Sequence, residues 1–231
     1  MATGLHITTQ KSNNKGWYLL SLIVVVILAA SGWYGYMYYT RGVIPPVPLP
    51  IATADPRVVE EDIAQEELEA HTVAPSEPRY LSASALGIER SRIMKVGITS
   101  NQELDTPRNI HDTGWYQESA LPGEGSAAVL LDGHNGGPTK GGVFEHLDAL
   151  QLGDIITIER GDGRKVSYEV AKNDSISLED MNKTGMKQMS ESISNDGQGL
   201  NIISCTGTWI PKLNTYDRRQ VVRATAINVE L

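Results

Sequence analysis

Between Gly16 and Thr40 the chain runs for 25 residues without a charged side chain. Such a segment has no polar face to turn toward water if it is helical. Its centre, Leu19 to Ala30, reads Leu-Leu-Ser-Leu-Ile-Val-Val-Val-Ile-Leu-Ala-Ala. A helix of about 20 mostly apolar residues crosses the ~30 Å hydrocarbon layer of a bilayer. Trp17 and Tyr18 stand at one end, and Trp33, Tyr34, Tyr36, Tyr38 and Tyr39 at the other, where interfacial aromatic belts lie. Residues 17–39 are therefore expected to be a single transmembrane anchor. Lys11 and Lys15 before it, against Arg41 after it, favour a cytoplasmic 1–16 and an extracellular remainder. The expected location is the cell membrane, crossed once. Leu28-Ala29-Ala30-Ser31 also resembles a leader-cleavage site, but the apolar and aromatic stretch continues to Tyr39, which favours an uncleaved anchor.

The anchor divides the charge unevenly. Of 20 basic residues, three (Lys11, Lys15 and Arg41) fall in the first 41, and none of the 28 acids does. The rest carries 17 basic against 28 acidic groups, and that acidic body argues against a phosphate-binding nucleic-acid surface. One cysteine excludes a disulfide framework and a cysteine-rich zinc site. No metal or cofactor is expected. Gly133 to Gly142 is glycine-rich but lacks the spacing of a phosphate loop. Glu179-Asp180 supplies two acids, far short of a calcium site of six to eight oxygens, and a solvated loop is expected there.

Residues 40–78 read as a proline-rich, acidic stalk, holding seven of the eleven prolines. Ile44 to Pro50 should be extended. Val58 to Ala70 has Val59, Ile63 and Leu68 at helical spacing, and is either a short exposed helix or disordered.

The body, 79–231, is expected to be mainly β. Ala127–Leu131 and Leu200–Ser204 are short apolar runs. Asp154–Arg160 and Lys165–Ala171 flank Gly161-Asp162-Gly163, a hairpin signal. Val166, Tyr168 and Val170 alternate with Ser167 and Glu169, the period of a half-buried strand. Arg219–Glu230 reads as a final strand, and Val143–Leu150 as one short helix with Phe144, Leu147 and Leu150 on one face. Many short strands with one or two helices indicate a barrel or sandwich.

Cys205 ends the Leu200–Ser204 run, where a rigid scaffold presents side chains to ligands. A lone thiol there is either a small buried hydrophobe or a nucleophile. A nucleophile needs a partner that favours the thiolate. His134 follows a strand amid glycines, in Asp132-Gly133-His134-Asn135-Gly136-Gly137; His146 and His111 are the other candidates. Acyl transfer also needs a cation or donor for the oxyanion. A hairpin joining Leu200–Ser204 to the last strand brings Arg218 or Arg219 beside Cys205. Adjacent strand residues face opposite ways, so only one of the two can face the thiol. Asp132 is a further candidate, as a third member orienting His134.

Gly133-His134, Ser204-Cys205 and Arg219-Gln220-Val221-Val222-Arg223-Ala224 together resemble the Gly-His, Thr-Cys and Arg-x-x-x-x-Ala pattern of sortases, membrane-anchored cysteine transpeptidases. Gly142-Val143-Phe144-Glu145-His146-Leu147 with Leu152-Gly153-Asp154-Ile155 is similar to that family's Phe-x-x-Leu…Gly-Asp-x-Ile segment. Tyr80-Leu81, Leu86-Gly87-Ile88, Gly114-Trp115-Tyr116 and Leu121-Pro122-Gly123 resemble its opening strands. The likeness, of a class D/E/F type, runs in order over 79–231. It implies an eight-stranded sortase-type β-barrel. It implies Cys205 as nucleophile, His134 as acid and base, and Arg219 as the holder of substrate backbone and oxyanion, with Arg218 as the alternative. Ser204, where threonine is usual, keeps the hydroxyl and is expected to assist substrate or oxyanion binding. The implied substrates are surface proteins bearing an LPXTG-like sorting signal, passed to an amine of a cell-wall precursor or a pilin-type lysine. The competing functions are a membrane-anchored cysteine hydrolase, which passes the acyl group to water, and a non-catalytic peptide-binding surface domain.

Overall fold

The structure, a computed structural model, describes residues 15–41, 58–195 and 197–230. Most of the expected cytoplasmic 1–16, and 42–57 of the stalk, lie outside the described residues. The chain falls into two units that divide between Pro48 and Leu49. In the first, α1 is a 27-residue helix, Lys15–Arg41. Its side chains from Leu20 to Leu28 include eight large apolar residues that are exposed. Among the described residues no helix is long and apolar enough to cross a membrane.

The second unit is a closed barrel of eight strands: β1 (Pro78–Ala83), β2 (Ile88–Val96), β3 (Thr113–Tyr116), β4 (Ala128–Gly133), β5 (Ile155–Arg160), β6 (Lys165–Ser177), β7 (Gly199–Ile210) and β8 (Thr215–Glu230). Around the barrel they run β1-β2-β3-β4-β7-β8-β6-β5. The β2–β3 and β4–β7 pairs are parallel, and the rest antiparallel. Closure leaves no unpaired sheet edge. The alternation read in β6 is realised: Val166, Tyr168 and Val170 are all buried in the interior. The β5–β6 turn uses Gly163 at φ +83°, a conformation open to glycine without a Cβ penalty.

A second, smaller core lies on the outer face of β4, β7 and β8. Leu130, Ile203 and Val221 point there and are covered by Met181 and Met189. Those methionines come from the connection after β6, in which short helical turns α2 (Leu178–Asp180) and α3 (Met186–Met189) flank a wider turn, Met181–Gly185. This stretch was expected as a solvated loop. Its acids do lie outward, Glu179 pairing with Lys183 and Asp180 closing the Ser177 cap, while its methionines seal the sheet.

One further expectation needs correction. The helix expected over Val143–Leu150 is a set of turns with one 3-10 turn, Leu147–Ala149. Phe144, Leu147 and Leu150 are buried as expected, but spacing of three suits a 3-10 turn as well as an α-helix. The described part of the stalk, 58–77, lies against the barrel. It contains a short exposed helix, Gln65–Ala70. The Tyr80 hydroxyl donates to the Leu68 carbonyl, and Val59 bridges to Asn109.

Gln198 ties off one end of the barrel. Its Oε1 accepts from the Tyr168 hydroxyl and the Gly123 amide, both at 2.7 Å, and its Nε2 donates to the carbonyls of Leu121 and Glu124. Gln198→Leu strands all four groups, of which the Tyr168 hydroxyl is buried, and should cost about 1–3 kcal/mol of stability, read as a lowered midpoint in urea denaturation.

Candidate active site

In the antiparallel β7–β8 ladder Cys205 stands directly across from Arg219 and Thr206 across from Arg218. In the parallel β4–β7 ladder Gly133 stands across from Ser204, and the next residues on those two strands are His134 and Cys205. Alternation then sorts the side chains by face. Leu200 and Ile202 belong to the interior core and Ile203 to the outer one. Ser204 follows the interior set, and Cys205 the outer.

Arg219 folds back over the start of β8. Its Nη1 donates to the carbonyls of Tyr216 and Arg218, each at 3.0 Å, and its Nη2 to the Thr215 hydroxyl at 2.8 Å. A bulge between Thr206 and Trp209, with Gly207 at φ +89°, bends the hairpin, and the Thr215 side chain also hydrogen-bonds to Cys205. Thr215 thus links the guanidinium to the sulfur. Arg218 faces the other way, with Nε on the Ser175 hydroxyl at 2.7 Å and Nη2 on the Ser175 carbonyl.

The thiol is under opposing influences. Burial pushes it above its ordinary range; the Arg219 guanidinium pulls it down, the Asp132 carboxyl raises it, and the Thr215 hydrogen bond lowers it. The free Cys205 is partly exposed, and the thiolate that does the chemistry is favoured by the Arg219–Thr215 side of this balance.

His134 is held by the loop between β2 and β3. Its Nε2 lies 2.7 Å from the Pro107 carbonyl. A carbonyl only accepts, so Nε2 carries the proton and Nδ1 is the nitrogen that can exchange one in a reaction. The loop after His134 is braced by the segment preceding the barrel. The Glu60 carboxylate accepts from the Thr139 amide at 2.7 Å, the Thr139 hydroxyl at 2.6 Å and the Lys140 amide at 3.1 Å. These bonds hold Glu60 below its usual range. Val59 donates to the Arg108 carbonyl and accepts from the Ile110 amide. One short strap therefore grips the loop on either side of the histidine.

The other candidates are elsewhere. His146 is exposed beside Glu145, and His111 Nε2 lies 3.3 Å from Asp62; both line a hollow of about 440 Å³ whose walls include none of Cys205, His134 and Arg219. A second hollow, of about 400 Å³, opens between the loop after His134 and Tyr216, with Glu145 and Lys140 in its wall. Ser204, expected to assist through its hydroxyl or its backbone, donates that hydroxyl to the Gly133 carbonyl at 2.9 Å and is buried. It cross-braces the two strands that carry Cys205 and His134. Thr215, Pro107 and Glu60 were not found from the sequence, since a lone hydroxyl, a carbonyl and an acid in a charged run have no motif.

A barrel that offers a thiol opposite an arginine, with an imidazole on the adjoining strand, has the parts of a cysteine acyl-transfer enzyme. The sortase domain family matches residues 85–227, more than half of the chain, and the chain belongs to the sortase family, the cysteine transpeptidases. Similar solved structures include a sortase D5 transpeptidase of Clostridium perfringens, 20% identical with a TM-score of 0.47, covering 72% of this chain and 91% of that one. Sortase E1 of Streptomyces coelicolor, solved with a tripeptide in its active site, is 21% identical with a TM-score of 0.49, covering 68% and 92%. Sortase C of Streptococcus pneumoniae is 17% identical with a TM-score of 0.49, covering 87% of each. No curated protein matches the sequence.

Thr215→Val removes the hydroxyl between Arg219 and Cys205, and the thiol should rise further. Alkylation of Cys205 by iodoacetamide at pH 7 should slow by about threefold or more, with the protein still folded by circular dichroism.

Proposed function

We propose that this sortase cleaves an LPXTG-like sorting signal at Cys205 and joins the acyl part to an amine outside the cell membrane. The Cys205 thiolate attacks the threonine carbonyl of the signal. The oxyanion that forms is met by the guanidinium of Arg219, and the tetrahedral species collapses to a thioester as His134 gives a proton to the departing glycine amine. An incoming amine then attacks the thioester, His134 takes its proton, and the thiolate leaves. The direct cross-strand pairing of Cys205 with Arg219 carries this reading, since acyl transfer needs a cation or donor at the carbonyl oxygen, which gains charge as the sulfur attacks. Ser204 serves it as the brace between β7 and β4 rather than as a substrate contact.

The acceptor is a cell-wall precursor amine or a pilin-type lysine. Residues 17–39 are the proposed anchor, with the barrel outside. The support for it is the uncharged run Gly16–Thr40 with its terminal aromatics, together with a helix whose described apolar side chains are exposed. The described residues alone fall short of a full span. Anchoring would hold enzyme and substrate at one surface, raising their effective concentration with no new contact.

The test is incubation of the full chain with LPXTG-like peptides, with and without glycine or diamine acceptors, followed by mass spectrometry. A thioester on Cys205 and ligated product are expected; release to water alone, whatever the acceptor, would identify a hydrolase. Cys205→Ala should abolish both. Arg219→Ala should lower kcat by about 10²–10³, whereas Arg218→Ala, whose side chain sits on Ser175, should be mild. A larger loss at Arg218 would reverse the assignment.

A further inference from the structure

Asp132 is buried on the outer side of β4. In register it lies between Gly114 of β3 and Ile203 of β7. Its carboxyl fills the space where a side chain at position 114 would begin: a Cβ built on Gly114 would meet Asp132 Oδ1 at 2.0 Å and Pro107 Cδ at 2.9 Å. Oδ1 has no hydrogen-bond partner among the described residues. A buried carboxyl oxygen left unpaired costs stability that an apolar residue of the same shape would not. The contact the carboxyl does make points one way. The Thr106 side chain hydrogen-bonds to it, and the next residue is Pro107, whose carbonyl meets the His134 ring.

We propose that Asp132 is a positioning residue of the catalytic site: its buried carboxyl fixes Thr106 and so holds the Pro107 carbonyl against the His134 imidazole. The inference rests on the reading of Cys205 and His134 given above, and adds a group that touches neither substrate nor thiol. A second consequence is electrostatic. Among the described residues the titratable groups near the carboxyl are Asp105 on the loop before β3, Cys205 on β7 and His134 just past the end of β4; from β3, Gly114 stands across from it and Tyr116 joins the same outer core. Burial pushes Asp132 up to about 7, against the Thr106 hydrogen bond, and the charge of Asp105 adds to the rise. The carboxyl is neutral in mildly acidic solution. Above neutrality it ionises, and its charge then raises the Cys205 thiol. The site is thereby held back in the alkaline range by its own support.

Three variants test this. Asp132→Ala and Thr106→Val should each lower kcat with little change in KM, and Asp132→Asn should recover part of the loss. In the nitrogen NMR spectrum of the His134 ring, the single Nε2–H tautomer of the parent should become a mixture in Asp132→Ala and Thr106→Val. In Asp132→Asn the midpoint of Cys205 alkylation against pH should fall, with alkylation at pH 8 faster by about threefold or more. The folded carboxyl titrates above its unfolded value, so the stability it contributes is complete below about pH 4 and is lost as pH rises through 7. Asp132→Asn should accordingly gain in Tm over the parent between pH 5 and pH 8. A single His134 tautomer in all variants, or an Asp132→Asn alkylation profile that superimposes on the parent's, overturns the proposal. Neither readout uses a peptide, so the result stands whether or not a sorting signal is turned over.

Discussion

Cys205 and Arg219 face each other because β7 and β8 keep one antiparallel register from Gly199 to Thr206. A slip of one residue would send every side chain to the opposite face, putting Ser204 outward and the thiol into the core. What forbids the slip is packing on both sides of the ladder. Leu200, Ile202, Val222 and Ala224 fill the barrel interior, while Ile203 and Val221 fill the outer core. β4 pins β7 from one flank, and β6 pins β8 from the other. The chemistry therefore sits on a part of the sheet buried on two faces, which is why its geometry does not depend on loop conformation alone.

That placement has an electrostatic cost. The thiol at the end of this ladder is partly exposed but loses much of its water, and burial acts against its ionisation. The guanidinium of Arg219 and the hydroxyl of Thr215 offset part of that, because both are held by hydrogen bonds within the first residues of β8. Arg219 is oriented before any substrate arrives, so little reorganisation is needed when negative charge develops.

Elements set by local pattern were legible in the sequence. The β5–β6 hairpin follows from a glycine-flanked turn and an alternating strand, and the thiol and arginine become neighbours by simple hairpin connectivity. Elements set by distant partners were not. β6 runs on to Ser177 through Lys172-Asn173-Asp174-Ser175 because β8 pairs with it, and nothing in those polar residues signals a strand. The spacing of Phe144, Leu147 and Leu150 fits two helical geometries, and burial favoured the tighter. Glu60 reads as one acid in a charged run, and the amide it grips lies 79 residues further on. The inward turn of Ser204 follows from alternation once Cys205 is set outward, but family likeness had drawn attention to its hydroxyl as a substrate contact.

The strap of Val59 and Glu60 has a mechanical side. It is the first described stretch of chain before the barrel, and it is stitched to both Arg108–Ile110 and Thr139–Lys140. Any tension drawn along the upstream polypeptide reaches those stitches before it reaches a strand. The load falls first on the two loops framing the imidazole, ahead of the sheet that carries the sulfur and the guanidinium.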